Sequence, residues 1–243
     1  MSTGIDMAKQ AIRTRIWDLL EREKAVERGV HGYIPAFAGA DVAADRLAHL
    51  PVWQAARVIK AVPDRAQQPV RERALQDGKL LYMAVPMLAD KLPFYVLDPS
   101  RLTMPPSEAA DRQMAASVAP KIAVDEMQPV DMVACGSVAV NRSGARLGKG
   151  AGYSDIEVAL LQEAGLIGPD TVIVTTVHPL QVVDETLPET RHDFSVDLIV
   201  TPSEVIECGS PRRPGGIYWE QLTADKIAAI PVLAARTADR WPS

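Results

Sequence analysis

GARLGKGAGYSD, residues 144–155, joins a predicted strand to a predicted helix. The strand is the apolar run DMVACGSVAV at 131–140, and the helix is the pattern DIEVALLQEAGLI at 155–167. A glycine-rich turn at such a junction lets backbone N–H groups approach an anion, which the N-terminus of the helix also attracts. The glycine spacing matches neither the P-loop nor the dinucleotide-binding fingerprint. A plain tight turn and an anion site are therefore both consistent with it.

Three further apolar runs have the length of strands: KLLYMAVP at 79–86, TVIVTTV at 171–177 and VDLIVTP at 196–202. They are rich in apolar and β-branched residues, and helical patterns separate the runs. Nearly continuous apolar strands separated by helices are typical of a parallel sheet that is covered on both faces. We therefore expect an α/β fold of three layers around an open, mostly parallel sheet.

The N-terminal third of the sequence reads as helical. An amphipathic helix is predicted over 7–28, and Asp41 is a candidate N-cap for the next one. Residues 51–61 show another short helical pattern, and a fourth helix over 69–77 ends at Gly78. These segments would cover the sheet.

The end of the chain contains the Pro/Gly-rich stretch GSPRRPGG at 209–216 and a short helical pattern around 220–229. No internal repeat or linker divides the sequence. We expect residues 1–243 to form a single α/β domain, with 209–243 as a C-terminal extension.

The composition is that of a packed globular chain. It has 243 residues, 47% of them hydrophobic and 23% charged, and a formal net charge of −5. These values permit a large core and exclude low-complexity disorder. No uncharged apolar run reaches the length of about 18 residues that a membrane span requires. The acidic balance makes nucleic acid an unlikely partner.

The two cysteines, Cys135 and Cys208, are too few for a disulfide framework. The first twenty residues mix charges with apolar side chains and therefore do not resemble a signal peptide. We expect a cytoplasmic protein that is a monomer or a homodimer.

The 144–155 loop carries side chains suited to a phosphate ligand. Arg146 and Lys149 are cationic donors, Tyr153 can stack on a planar ligand, and Asp155 can hold Mg²⁺ or cap the helix. The glycines that would permit close backbone approach alternate along the loop: Gly148, Gly150 and Gly152.

A second polar cluster lies in HPLQVVDETLPETRHDFSVDLIVTP, residues 178–202. His178 ends a predicted strand, so we expect it at the carboxyl edge of the sheet, where open α/β sheets bind ligands. Asp193 and Asp197 flank the entry to the next strand, and His192 is expected at the surface. The spacing matches no zinc pattern.

Two pairs of basic residues complete the candidates. Lys9 and Arg13 lie four residues apart and share one helix face, where like charges repel unless an anion bridges them. The alternative is a solvated basic face. Arg212 and Arg213, in the C-terminal loop, can contact a phosphate, although solvation is the commoner outcome.

Taken in order, KQAIR at 9–13, the 144–155 loop and the 178–202 segment resemble the 5-formyltetrahydrofolate cyclo-ligase family, also called methenyltetrahydrofolate synthetases. The resemblance spans roughly 5–205 and is weak between about 25 and 120. It implies an open α/β fold related to ribose-5-phosphate isomerase and the CoA transferases.

The resemblance also implies a reaction in which ATP and Mg²⁺ drive ring closure of 5-formyltetrahydrofolate to 5,10-methenyltetrahydrofolate through a phosphorylated formyl group. Asp155 and Asp193 match the family's Mg²⁺ carboxylates. Residues that match its ATP- and folate-binding positions are Lys149, Arg146 and Tyr153 as catalytic residues, and Lys9, Arg13, Gly148, Gly150 and Gly152 as nucleotide-binding residues.

The sequence departs from the family pattern in the folate region. Ser154 stands where the family has a second tyrosine, and the family's acidic folate-binding residue has two candidates, Asp64 and Glu72. Two alternatives to the cyclo-ligase therefore stay open. One is a non-catalytic homologue that binds folate or nucleotide, and the other is a ligase acting on a different folate or pterin.

Overall fold

The computed structural model describes residues 4–209 and 211–240, and the strands of that part of the chain form two sheets. In chain order the strands are β1 (Val58–Ala61), β2 (Leu80–Ala84), β3 (Phe94–Leu97), β4 (Lys121–Ile122), β5 (Met132–Cys135), β6 (Ala139–Asn141), β7 (Arg146–Leu147), β8 (Val172–Thr176), β9 (Val182–Val183), β10 (Leu198–Val200) and β11 (Val205–Glu207).

The larger sheet has the strand order β11-β10-β8-β5-β1-β2-β3-β4. Its inner strands, from β10 to β2, all pair in parallel. Strands β11, β3 and β4 add antiparallel edges. In the smaller sheet, β6 pairs with β7 antiparallel and with β9 in parallel. The expectation of an α/β fold with a mostly parallel sheet is confirmed.

Helices precede, connect and follow the strands. They are α1 (Gly4–Arg22), α2 (Ala40–Ala48), α3 (Pro51–Ala55), α4 (Gln68–Gln76), α5 (Pro106–Ala109), α6 (Arg112–Val118), α7 (Tyr153–Glu163), α8 (Ala224–Ala229) and α9 (Pro231–Arg240). In the described ranges, no helix combines the length and the apolar run that a membrane crossing requires.

Alternate residues of the strands pack into two different cores. In β1, Ile59 joins the core that contains side chains of α1, α2 and α4, whereas Val58 joins the core that contains side chains of α7. In β5, Ala134 and Cys135 divide in the same way. Because successive strand residues point to opposite faces, the sheet lies between two helical layers, as the apolar runs predicted.

The prediction of a helix over 51–61 is confirmed only for residues 51–55. Helix α3 ends at Ala55, and β1 runs from Val58 between β2 and β5. All four residues of β1 are buried. Pairing with β2 and β5 stabilises these four residues more than a helical conformation would. So short an apolar segment does not distinguish a helix from a strand.

The prediction of one strand over 131–140 is wrong, because the run splits into β5 and β6, which belong to different sheets. Gly136 separates them. A Cβ atom at this glycine would lie 2.9 Å from Ile34 Cγ2 and 3.1 Å from Gln67 Oε1. The chain turns where neighbouring side chains approach the backbone closely, and the uninterrupted apolar run conceals this turn.

Asp41 is not the N-cap of α2. Gly39, with a φ of 85°, occupies that position, and Asp41 lies in the first turn, where its negative charge favours the helix N-terminus. Helix α1 ends at Arg22 rather than at residue 28, and α7 begins at Tyr153 and ends at Glu163. Gly78 follows α4 with a φ of 72°, as predicted.

The C-terminal extension contains more helix than predicted, because α9 follows α8 where the sequence indicated one helix around 220–229. Residues 1–3, 210 and 241–243, which belong to the expected single domain over 1–243 and to its 209–243 extension, lie outside the described residues.

A buried ion pair crosses from the sheet to α7. Lys60, in the middle of β1, donates to the carboxylate of Glu157, and the two residues are 1% and 4% exposed. Glu157 lies one turn after Tyr153, so the pair fixes the first turn of α7 against the central strand. Removing one partner of such a pair leaves an uncompensated buried charge.

We predict that Glu157→Leu and Lys60→Met each lower the free energy of unfolding by about 3–5 kcal/mol, because each leaves the other charge buried without a partner. The double variant should lose less than either single variant, since two apolar side chains then fill the site. Urea denaturation measures all three. A loss in the double variant equal to the sum of the single losses would contradict this account.

Candidate functional site

The glycine loop, residues 148–152, joins β7 to α7 and lies at the carboxyl edge of the parallel strands. Gly150 and Gly152 have φ values of 98° and 73°, in the left-handed region that favours glycine, and Gly152 is the N-cap of α7. Among the described residues, no group accepts a hydrogen bond from the backbone N–H of Lys149, Gly150, Ala151 or Gly152. The loop therefore leaves a row of donors available to an anion.

Arg146 lies beneath this loop and is only 5% exposed. Its guanidinium donates long hydrogen bonds to Asp155 Oδ1 at 3.3 Å and to the Gly136 carbonyl at 3.4 Å, and stacks 4.3 Å above the Phe194 ring. Its buried Nε has no hydrogen-bond partner among the described residues. A buried charged donor without a partner is costly. Arg71 Nη2 is likewise unpaired among the described residues, so it is the loop of open N–H groups above Arg146 Nε that makes this place a candidate anion site.

Lys9 reaches the same place from α1. Its Nζ lies 2.5 Å from Asp193 Oδ2, and Thr190 donates to that oxygen through both its N–H and its hydroxyl. Burial, the largest influence, would raise the pKa of Asp193, but the hydrogen bonds from Lys9 and Thr190 outweigh it and the pKa lies below its usual value. Asp193 is thus held as a carboxylate.

Arg13, one turn further along α1, donates to the Gly148 carbonyl at 2.7 Å. Burial lowers its pKa, and Arg146 contributes to the decrease, whereas Asp193 opposes it. The expected repulsion between Lys9 and Arg13 is therefore relieved by protein groups, the carboxylate of Asp193 and the loop carbonyl. An anion between them is not required to explain their spacing.

The two candidate metal ligands interact electrostatically. Burial raises the pKa of Asp155, the charge of Asp193 raises it further, and Arg146 opposes the rise. Mg²⁺ usually takes one or two carboxylates together with phosphate oxygens, so this pair suits it, and a cation would offset the proximity of the two carboxylates. In the ranges that the structure describes, no group of three or more His, Cys, Asp or Glu is placed to hold a metal ion.

Lys149 contacts Asp64, with 2.8 Å between Nζ and Oδ1. Asp64 follows β1, and Arg71 fixes this turn by donating to the carbonyls of Val62 and Asp64. Burial lowers the pKa of Arg71 to about 10. Of the two acidic candidates, Asp64 is therefore the one in contact with the glycine loop.

Glu72, the other candidate, lies on α4 and accepts a hydrogen bond from Gln76. Asp64 and Glu72 both line a cleft of about 900 Å³ whose walls come from residues 24–41, 63–72 and 111–113. The cleft therefore begins beside the glycine loop, at the Asp64–Lys149 contact.

Tyr153 contacts a residue that no sequence pattern predicts. The ammonium of Lys226, on α8, lies 3.3 Å from the centroid of its ring and donates to the Ala151 carbonyl at 2.9 Å. Residues separated by more than 70 positions meet here only through the fold, and neither spacing nor the family pattern marks Lys226.

The remaining polar candidates have structural partners. His178 accepts a hydrogen bond from the Leu180 N–H, and burial lowers its pKa. His192 is partly exposed and contacts Gln221. Arg213 donates to Asp197 and to the Ser195 carbonyl, so it is neither simply solvated nor a free phosphate donor.

In this open α/β protein, the charged residues of the candidate site thus lie together at one edge of the sheet. A model of the 5-formyltetrahydrofolate cyclo-ligase family matches residues 5–202. That match covers well over half of the chain, which therefore belongs to this family.

Curated relatives extend the likeness beyond residue 202. The chain is 39% identical to the mouse methenyltetrahydrofolate synthase domain-containing protein over 96% of its own length, and 36% identical to the human protein of that name over 97%. It spans only 64% and 63% of the length of these two relatives.

A solved structure shows the same fold. The 5,10-methenyltetrahydrofolate synthetase of Aquifex aeolicus, determined by NMR, aligns with a TM-score of 0.53 and 19% identity, over 88% of this chain and 99% of its own. The expected cyclo-ligase fold is thereby confirmed.

Both cysteines are free thiols held in the core, as expected for Cys135 in a strand. Burial raises the pKa of both thiols, that of Cys208 to about 11. We predict that an aromatic disulfide reagent at pH 8 modifies neither thiol in the folded protein and both in urea, because only the accessible thiolate reacts. Rapid modification of the folded protein would contradict the packing described here.

Proposed function

We propose that this protein binds ATP, with Mg²⁺, at the glycine loop and uses it to close the ring of 5-formyltetrahydrofolate. The observation that carries the proposal is the buried Nε of Arg146, which has no acceptor among the described residues and lies beneath a loop whose N–H groups donate to none of them. A phosphate oxygen would supply that acceptor and would bind the N–H groups at the same time.

The charge balance supports a phosphate ligand. Lys9, Arg13 and Arg146 contribute three positive charges, and Asp155 and Asp193 contribute two negative ones. The set has one positive charge in excess before any ligand binds. Asp155 and Asp193 would hold Mg²⁺, which supplies charge neutralisation for the transferring phosphoryl group.

The proposed chemistry requires positioning rather than a protein nucleophile. The formyl oxygen of the folate takes the γ-phosphoryl group of ATP, and ADP leaves. N10 then attacks the formyl carbon, the bond between that carbon and the phosphorylated oxygen breaks, and phosphate departs. N10 loses its proton to solvent as the ring closes. Arg146 and Lys149 would hold the transferred phosphoryl group near the cleft, where catalysis by orientation is effective.

The folate would occupy the cleft next to Asp64. Its pterin ring carries amide and amine donors, and a carboxylate accepts hydrogen bonds from both. Asp64 lies in contact with Lys149, so a ring bound to Asp64 would lie beside the phosphoryl group.

A homologue that binds nucleotide without turnover is the competing function. Ser154 replaces a tyrosine of the family pattern, and the Asp64–Lys149 contact occupies both side chains. If the protein only binds, ATP should associate but no methenyl product should form. A ligase for another folate or pterin would convert that compound instead.

The decisive assay mixes the purified protein with 5-formyltetrahydrofolate, ATP and Mg²⁺ and follows product by chromatography and phosphate release. The proposal predicts methenyl product and phosphate in equal amounts, and neither when one component is omitted. Bound ATP without product would favour the competing function, and product from another formylated pterin would redirect the substrate assignment.

We predict that Lys149→Ala weakens ATP binding about tenfold, because a charge-assisted contact to phosphate is lost. Asp155→Asn should abolish Mg²⁺-dependent turnover with little loss of stability, since its pKa is already raised by burial in the folded protein. Calorimetric titration and the turnover assay measure these effects. Lys91→Ala, a change in a lysine outside the site, is the control. Unchanged affinity in Lys149→Ala would disprove the loop assignment.

Asp64 and Glu72 give a matched test of the folate contact. Asp64→Asn should raise KM for the folate about tenfold, because one of the two accepting carboxylate oxygens becomes an NH2 group, which donates and cannot accept a hydrogen bond from the pterin. Glu72→Gln should leave KM within about twofold, since its carboxylate lies away from the glycine loop. Equal effects of the two variants on KM would show that the folate does not bind to Asp64.

A further inference from the structure

The C-terminal extension packs on α7 and on the core beneath it. The Ile217 N–H donates to Glu163 Oε1 at 2.9 Å, and Arg236 pairs with the other carboxylate oxygen at 3.0 Å. Ile230 and Leu233 are fully buried in the core that contains α7. The extension is therefore anchored at the end of the helix whose first turn carries Tyr153 and Asp155.

The same extension contacts the loop that carries Asp193. Gln221 Oε1 lies 2.6 Å from His192 Nδ1, and Arg191 stacks 4.6 Å above the Tyr218 ring. The extension thus bridges the two parts of the candidate site, one with Asp155 and the other with Asp193.

A third contact reaches the glycine loop itself. Lys226 donates to the Ala151 carbonyl at 2.9 Å and lies over the Tyr153 ring. Lys226 is positioned by α8, whose N-cap Thr223 accepts a hydrogen bond from the Lys226 N–H at 3.1 Å. The half-buried ammonium therefore comes from an ordered helix.

This contact orients a peptide group of the anion-binding loop. In a trans peptide the C=O and the following N–H point in opposite directions. With the Ala151 carbonyl held by Lys226, the Gly152 N–H points away from Lys226, and it donates to no group among the described residues. The Lys226 contact thus keeps one donor of the loop available and adds a positive charge beside it.

We propose that Lys226 is a positioning residue for nucleotide binding, so that the C-terminal extension completes the phosphate site of this chain. The inference rests on the proposed ATP site. The family match ends at residue 202, before Lys226. The mouse relative matches 96% of the chain, which leaves out only about ten residues, so that likeness includes most of the extension.

The test compares three variants of the full chain. Lys226→Met removes the ammonium and keeps the length of the side chain, whereas Lys226→Arg keeps a cationic donor. Lys121→Met is the matched control, because Lys121 also lies over a tyrosine ring, at 5.8 Å from the centroid of Tyr95, but far from the loop in the fold. Affinity for ATP with Mg²⁺ is measured by calorimetry, KM and kcat by turnover, and the unfolding midpoint by thermal denaturation.

Lys226→Met should weaken ATP binding and raise KM for ATP about fivefold, the factor expected from losing one partly exposed charge-assisted hydrogen bond, with kcat and the unfolding midpoint unchanged. Lys226→Arg should stay within about twofold of the wild-type affinity, as should Lys121→Met.

Wild-type affinity in Lys226→Met would overturn the inference, and so would a loss of affinity matched by a lower unfolding midpoint, because that shows only a structural role. If Lys149→Ala weakens binding while Lys226→Met does not, the ATP site stands and the inference alone fails. If the wild-type protein binds no ATP, both fail.

Discussion

The ion pair between Lys9 and Asp193 is the interaction on which the site depends. It joins the first helix to a loop 184 residues later and keeps Asp193 ionised despite its burial. Without this cation, Asp193 would be a second buried carboxylate close to Asp155, whose pKa is already raised. The pair lets Asp193 stay ionised although its charge acts on Asp155, and Mg²⁺ is usually bound through one or two carboxylates.

Arg146, beneath the glycine loop, is a buried cation with incomplete hydrogen bonding. Its partners are distant, at 3.3 and 3.4 Å, and one nitrogen has none among the described residues. A protein optimised only for stability would pair this guanidinium fully. An incompletely paired buried cation is understandable where binding of an anion completes the set, so the feature that costs stability is the one that indicates function.

The sequence predicts the centre of this fold well, because long apolar runs and a glycine-rich turn are local signals. The strand at 171–177 and the junction at 144–155 are found near their expected places. Strand β1 could not be predicted, because its four residues form a strand only through pairing with β2 and β5. The antiparallel strands β3, β4 and β11 could not be predicted for the same reason, because strands of two to four residues show little hydrophobic periodicity.

In the candidate site, too, residues close together in the sequence could be predicted, whereas contacts between distant residues could not. Arg146, Lys149 and Asp155 stand within one loop and its helix, so one pattern marks them all. The sequence pattern marks Asp193 as a polar candidate, but its role as a metal ligand came from the family resemblance, and its pairing with the distant Lys9 is seen only in the fold. The contacts of Asp64 and Lys226 with the glycine loop join residues on different elements and follow from packing alone.

The most direct measurement is a crystal structure of the protein with Mg²⁺ and a non-hydrolysable ATP analogue. The account predicts the triphosphate over residues 148–152, with a phosphate oxygen within hydrogen-bonding distance of Arg146 Nε and the cation between Asp155 and Asp193. A triphosphate bound elsewhere, with Arg146 Nε still lacking an acceptor, would contradict the central claim.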